Sequence, residues 1–396
     1  MQPFNSSSPR RIHPLAVALL LAVQVAPVCA AAEPGPRGPD ILVTTMAIPE
    51  CPQVAMGPSG DFEVVWTLFT GGSHPRAQGT FAQHYDRQGR PTHAAALRLD
   101  SPRNDETTRV SIVALPGSGY FVSWLEYRGT RSAVAGRFLS ADGRPSGPAV
   151  SLARNANPLA LAVVDDSLLV AWEDFFAQQR LRIQRYDFEG HALGEVKDLG
   201  VNVNAAVSLA PLADGFVAAW VRFFHGSYIV AAQRFSPAGQ PLGAMLRVNQ
   251  SPFDEGFSGV RVASNGDDRF AVAWTTRVEL LDPQSGQLVF GDETRARFFD
   301  ADGTSSAEVR PNQLSTGNQQ TKGLAMDGGG LTLVTWQSDR NLATTLFDVT
   351  GRFLDPDGQA ASKAFPISQD LAGDDLCPAA ATNGGDAWVV ACSSRP

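Results

Sequence analysis

The sequence predicts an all-β chain folded as a seven-bladed β-propeller of antiparallel sheets, and three observations carry that expectation. An apolar run ending in Trp recurs at intervals of 48 to 62 residues, a period of propeller blades rather than of helical solenoids. Gly and Pro, 37 and 27 of the 396 residues, supply turns throughout, while long Leu/Glu/Lys-rich helical patterns are missing. The recurring runs are apolar on both faces, which calls for sheets covered on both sides.

The elements follow in chain order. Arg10 and Arg11 precede "PLAVALLLAVQVAPVCAAA", an apolar stretch too short to span a membrane comfortably and ending in small residues. Residues 1–32 therefore read as a secretory signal, cut after Ala30 or Ala32, with an exported domain over 33–396, periplasmic or secreted. Pro and Val before Cys29 argue against a lipid anchor at that cysteine. No later stretch is long and apolar enough to cross a membrane.

Six runs end at Trp66, Trp124, Trp172, Trp220, Trp274 and Trp336, and a seventh places Cys392 at the Trp position. Each run follows a Gly/Asp turn such as "PSGD", "ADG" or "NGGD", the signal of a tight hairpin. In "GFVAAWV" the residues Phe216, Ala218 and Trp220 should face one neighbouring sheet and Val217, Ala219 and Val221 the other. A third strand ends in an aromatic and a second Gly turn ("HYDRQG", "RYDFEG", "RFLDPDG"), and a short fourth strand closes each unit. The last copy stops soon after its second strand, so "ILVTTMA", residues 41–47, is expected to close the incomplete seventh blade as its outer strand.

The pattern "DGFVAAW … AQRFSPAGQPLGAMLRVN", residues 214 to 249, resembles the repeats of bacterial exported β-propellers. The resemblance covers nearly all of residues 40 to 396 and weakens toward the C-terminus, where the fifth and sixth copies lose "P-L-G". It implies the propeller fold and export; proteins with such repeats have many roles, so it implies no activity.

Cys51, Cys377 and Cys392 remain after the signal, and an oxidising compartment predicts a disulfide among them. A hairpin centred between Gly384 and Gly385 would set Cys377 opposite Cys392, within bonding reach. Cys51 and Cys377 each lie 15 residues before their Trp-site residue, so a clasp involving Cys51 is the alternative.

The formal charge of −8 disfavours nucleic acid as a partner. The His residues never fall at metal-ligand spacing, and no H-E-x-x-H, C-x-x-C, P-loop or G-x-S-x-G is present, so neither metal nor cofactor is expected. "DADG" and "DPDG" read as Asp-Gly turns rather than calcium loops, because the further oxygen ligands do not follow.

Three residues after the Trp stand Phe69, Tyr127, Phe175 and Phe223, replaced in the fifth and sixth copies by Arg277 and Asp339. That position opens the loop between second and third strands, so these rings should gather on one propeller face. Phe176, Phe224 and His225 extend the set, and Glu126, Arg128, Glu173, Asp174 and Arg222 interleave charges. Rings for stacking and charges for orientation suit a protein or glycan ligand, whereas rings tucked between blades would merely finish the core. Residues 275 to 295 form a longer loop whose two apolar arms flank "DPQSG", a hairpin expected to stand proud of the same face. The leading expectation is a monomeric, non-catalytic binding or scaffold module. The alternative is a carbohydrate-active hydrolase or lyase working through Glu126, Glu173 or Asp174.

Overall fold

The computed structural model describes residues 41, 43 and 48–395, apart from 70–76, 102–105, 118, 129–130, 155, 175–178, 204, 251–254, 282–285, 301, 313–316, 340–346 and 368–373. Every element in them is a β-strand. The first sheet holds β1 (Ile48–Met56), β2 (Phe62–Phe69), β3 (Ala77–Tyr85) and β4 (Leu97–Arg98). The second holds β5 (Glu106–Leu115), β6 (Gly119–Arg128), β7 (Arg131–Leu139) and β8 (Val150–Arg154). Then come β9 (Ala156–Val164), β10 (Ser167–Asp174), β11 (Arg180–Tyr186) and β12 (Ala192–Asn202). The fourth sheet is β13 (Ala205–Leu212), β14 (Gly215–Phe224), β15 (Ser227–Phe235) and β16 (Pro241–Arg247). The fifth has three strands, β17 (Glu255–Ser264), β18 (Phe270–Leu281) and β19 (Leu288–Phe299). The sixth is β20 (Gln319–Met326), β21 (Thr332–Ser338), β22 (Asp348–Leu354) and β23 (Phe365–Pro366), and β24 (Asp374–Thr382) with β25 (Trp388–Arg395) makes a two-stranded ladder.

All pairings are antiparallel meanders, and the first strands of successive sheets neighbour one another in order, with β24 touching both β20 and β1. The chain is thus a β-propeller whose first strands form the inner ring. Among the described residues it has six blades, not the seven expected, and β24–β25 stands as a bare hairpin between the sixth and the first. The expected closing strand, residues 41–47, lies mostly outside the described residues. Ile41 and Val43 lie outside any strand, Val43 packing beside Val64 and Trp66, and the rest of 41–47 falls outside the described residues, as does the signal segment.

Blade stacking follows the alternation of the Trp strands. Phe216, Ala218 and Trp220 join the cluster shared with blade three, while Val217, Ala219 and Val221 join the cluster shared with blade five. Trp124, Trp220 and Trp274 are wholly buried, and burying one such indole contributes about 4–6 kcal/mol at 25 cal/mol per Å². The small residue before each Trp, Ser123 or Ala171 or Ala219, is also fully buried, letting the next sheet approach.

Turns repeat one device. Asp86 Oδ1 accepts from the Gln88 and Arg90 amides, and Asp187, Asp327 and Asp355 do the same two and four residues on, as do Asn265 and Asn383 through their side-chain carbonyls. Asp355 of "DPDG" thus caps backbone amides, as expected of a turn.

Each first strand also carries a β-bulge opposite the Trp site, where one extra residue interrupts the register: Glu50/Gln53, Thr108/Ser111, Asn157/Ala160, Ala205/Val207, Ser258/Arg261, Thr321/Gly323 and Leu376/Ala379 are the described breaks on β1, β5, β9, β13, β17, β20 and β24. Bulges re-aim side chains. Here they overturn the expected disulfide: Cys377 sits in the β24 bulge at φ 56° and bonds Cys51 in the β1 bulge, with Cα atoms 4.9 Å apart. Cys392, on β25, stays outside the bridge. The hairpin register places Ala379 opposite Ala391 and Leu376 opposite Ser393, so the bulge turns Cys377 away from its cross-strand neighbour and toward the adjacent blade.

Candidate functional site

The face carrying the second-to-third-strand loops is built unevenly. On blade two, Tyr127 opposes Glu106 and Ser132, is half-buried, and packs against the blade two–three core with Leu125 and Trp172. Glu126 is half-buried opposite Thr107. Phe69 ends β2 opposite Ile48, and Arg128 ends β6; their side chains lie outside the described ones. Phe175 and Phe176 lie outside the described residues altogether.

On blade three, Asp174 pairs with Arg182 at 2.8 Å. Its neighbour Glu173 is half-buried, and loss of hydration raises its carboxyl above the usual range while Arg109 opposes the rise. Consecutive residues of a strand point to opposite faces, so Glu173 and Asp174 do not share a pocket in which one could act as acid and the other as base. In the sixth blade Asp339 is buried, accepting from both the backbone amide and the side-chain amide of Asn318, which assigns it to structure.

The rings that do face water sit on blades four and five. At the tip of β14–β15, Phe223, Phe224 and Tyr228 are 53%, 39% and 50% exposed. Phe223 meets Tyr228 edge-on at 5.1 Å, and Phe224 meets His225, an exposed residue at φ 48° in the turn, at 4.1 Å. The Arg222 guanidinium lies 4.9 Å over the Phe224 ring and donates to the Met245 sulfur.

The expected hairpin of residues 275–295 is formed. β18 and β19 stay in register from Phe270↔Phe299 to Leu281↔Leu288, reaching three residues farther past the Trp site than β14, roughly 10 Å at strand rise. Leu288, Val289 and Phe290 are exposed on it, and Arg277 lies 5.2 Å over the Phe290 ring. Its base is pinned by charge: Glu293 is buried and ion-pairs with Arg295 at 2.8 Å and Arg310 at 3.0 Å. Of this set, Tyr228, Leu288, Val289 and Phe290 escape the Trp-plus-three rule because they lie on third strands; Tyr228 is the cross-strand partner of Phe223, and Leu288, Val289 and Phe290 pair with Leu281, Leu280 and Glu279 within the expected 275–295 hairpin.

A second polar cluster lies between blades one and two, toward the first-to-second-strand turns. Asp61 accepts from the Tyr120 hydroxyl at 2.7 Å, lies 3.3 Å from His84 Nε2, and also accepts from Ser59. Beside it, Glu63 is wholly buried, neither carboxyl oxygen has a hydrogen-bond partner among the described residues, His84 is its cross-strand partner, and Gly143 packs over both. Burial holds Glu63 well above the carboxylate range, and Asp142 and Asp61 add to the rise. Tyr120 is raised by burial and by its bond to Asp61. Glu63, Tyr120 and His84 are all buried. Among the described residues, no His, Cys, Asp and Glu side chains gather into a group that would hold a metal ion.

No family model matches the sequence, and no curated protein matches it. Among solved structures, the chain is similar to the hydrazine synthase of Kuenenia stuttgartiensis at 12% identity and a TM-score of 0.51, covering 88% of this chain and 94% of that one. It is similar to the GH74 xyloglucanase from Xanthomonas campestris at 13% identity and a TM-score of 0.50, over 88% of this chain and 51% of that enzyme, so it spans about half its length. The β-propeller domain of the Trilobed protease from Pyrococcus furiosus also matches, at 11% identity and a TM-score of 0.46, over 84% and 88% of the two chains. At such identities the likeness speaks for fold and not for activity.

Proposed function

We propose that this chain is an exported, non-catalytic propeller that binds a protein partner through the β14–β15 and β18–β19 hairpins. The observation that carries the reading is the pair of exposed aromatic tips on adjacent blades, each with an arginine stacked on a ring: Phe224 under Arg222 and Phe290 under Arg277. Exposed Phe and Tyr with Arg is the composition of protein interface cores. A sugar stacks on an open ring face, and here guanidinium groups take one face of each of these two rings, which favours a protein over a glycan. Export rests on Arg10, Arg11 and the apolar run after them, supported by the Cys51–Cys377 bridge, a bond that persists in oxidising compartments.

The test is a photo-crosslinking amino acid placed at Phe290 or Phe224 in the exporting cell, with Gln88 on the opposite turns as control. A discrete protein adduct from the hairpin positions, absent at Gln88 and lost in a Phe223→Ala/Arg277→Ala background, is expected. Adducts equal at all three positions overturn the reading, and glycan binding by the purified chain that is lost in the same variants would replace protein with glycan as the ligand.

A further inference from the structure

The fifth blade has three strands where the fourth and the sixth have four, and the difference leaves one backbone edge open. After β19 the chain returns along it only at the base: Ala296 exchanges both backbone bonds with Val309, at 3.0 and 2.9 Å, and the Phe298 carbonyl accepts from the Ser306 amide. In blade four the returning chain follows the third strand as far as Val230, whose carbonyl accepts from the Val248 amide and whose amide donates to Asn249 Oδ1. Only residues 227–229 of β15 lie beyond that contact, against residues 288–295 of β19 beyond Ala296.

Successive residues of an antiparallel strand turn their amide and carbonyl to alternate sides. Ala296 and Phe298 turn theirs outward, away from β18, and Asp292 does too, its amide donating to Asn318 Oδ1 at 3.3 Å. The β18–β19 register runs unbroken from Phe270↔Phe299 to Leu281↔Leu288, so Phe290 and Leu288 keep the same outward set. Among the described residues, nothing bonds the backbone of Phe290 or Leu288 on that side. Their side chains are 61% and 68% exposed, and Val289 between them is exposed as well. An open apolar edge pairs readily with another strand, and proteins blunt such edges with Lys, Pro or a bulge. The stretch "LVFG", residues 288–291, has none of these. The charges come lower, and they are engaged within the fold: Asp292 with Gln320, and Glu293 with Arg295 and Arg310.

We propose that residues 288–291 form a strand-addition site, where an extended apolar segment of a partner protein pairs main chain to main chain with β19 and makes the ribbon three-stranded. The proposal rests on the reading of the aromatic hairpins as a protein interface and gives that interface its mode of binding. Backbone bonds to the amides and carbonyls of Leu288 and Phe290 supply affinity, and β-branched or aromatic residues facing those two across the new ladder supply specificity. A third strand also steadies a ribbon that, as two strands, is marginal in water. A rigid second copy of this chain fits the site poorly: an edge of four residues with three apolar side chains falls far short of the roughly 1,200 Å² that stable dimers bury. A flexible segment needs no such area, because its own backbone makes the contact.

The experiment follows the adduct yield of the photo-crosslinking amino acid at Phe224 in the exporting cell, in Leu288→Ala and Leu288→Pro backgrounds. Both variants lose the leucine side chain, and only proline removes the outward amide, which β18 does not use. The expected yield is within about threefold of the parent for Leu288→Ala and roughly tenfold lower than that for Leu288→Pro, the loss of a ladder bond together with the blocked edge. Equal yields in the two variants overturn strand addition while leaving the interface itself standing. Absence of any adduct in the parent overturns both, and an adduct that is a second copy of this chain overturns the choice of a foreign segment. Melting midpoints of the purified variants check the fold. Should Leu288→Pro disturb it, Leu288→Lys takes its place, an edge charge that opposes pairing and keeps the backbone, and a yield no lower than that of Leu288→Ala overturns the proposal.

Discussion

Cys51 and Cys377 occupy the same bulge position on the first strands of blade one and of the terminal hairpin, and they are bonded to each other across 326 residues of chain. The bridge ties β24, the last first-strand of the ring, to β1, the first. A hairpin of two strands buries little on its own: it places Ala379 and Ala391 in the core shared with Trp66, with Ala381, Ala387 and Val389 partly buried against it. The covalent tie therefore holds the weakest part of the ring to one of its well-packed parts.

Removing the bridge should be costly. Cys51→Ser or Cys377→Ser is expected to lower unfolding stability by about 2–5 kcal/mol, while Cys392→Ser, outside the bridge, changes it little. Guanidinium denaturation of the three variants measures this, and a non-reducing peptide map should recover Cys51 joined to Cys377. Recovery of Cys377 joined to Cys392 would contradict the observed pairing.

Glu63 should make the fold sensitive to alkali. Its native proton affinity is raised by burial, so the folded state holds a proton that the unfolded chain releases. Stability from this group is complete below the ordinary carboxylate pKa and is lost as pH rises through the window up to the raised native value. The slope is at most about 1.4 kcal/mol per pH unit. Glu63→Gln carries no such proton, so melting midpoints measured from pH 4 to pH 9 should fall less steeply in that variant than in wild type.

Core rings and surface rings should separate in a melt. Trp220→Ala removes a wholly buried indole and is expected to cost about 3–5 kcal/mol. Phe223→Ala, at a ring 53% exposed, should change stability by no more than about 1 kcal/mol while weakening partner binding. Equal destabilisation by both would return Phe223 to the core.

Gly259 is expected to tolerate no side chain. Its positive φ and the 2.5 Å approach to the Thr321 carbonyl oxygen make Gly259→Ala unfavourable by roughly 1–3 kcal/mol or more, read from chemical denaturation. Gly266, also at positive φ but with open space around it, is the control: the same substitution there should cost less, and equal losses would mean backbone strain alone decides.

Blade order, strand alternation and the turn chemistry were legible in the residues, because each is a local property. A Trp run with two apolar faces specifies a sheet covered on both sides, and the split of Phe216, Ala218 and Trp220 from Val217, Ala219 and Val221 is what the period of a strand dictates. The long β18–β19 hairpin was equally visible in its two apolar arms around "DPQSG".

What tertiary structure alone decided lies at the bulges and between blades. A bulge changes which way a side chain points without leaving a mark in the alternation, so Cys377 turned to Cys51 instead of Cys392. Glu63, Asp61, His84 and Tyr120 come from three strands and a turn of two blades, and Arg261 meets Lys322 across 61 residues of chain. Spacing along a sequence cannot reveal such meetings, since a propeller sets every blade against neighbours from elsewhere in the chain. The sequence determined the blades; the ring in which they close determined which of their polar side chains face each other.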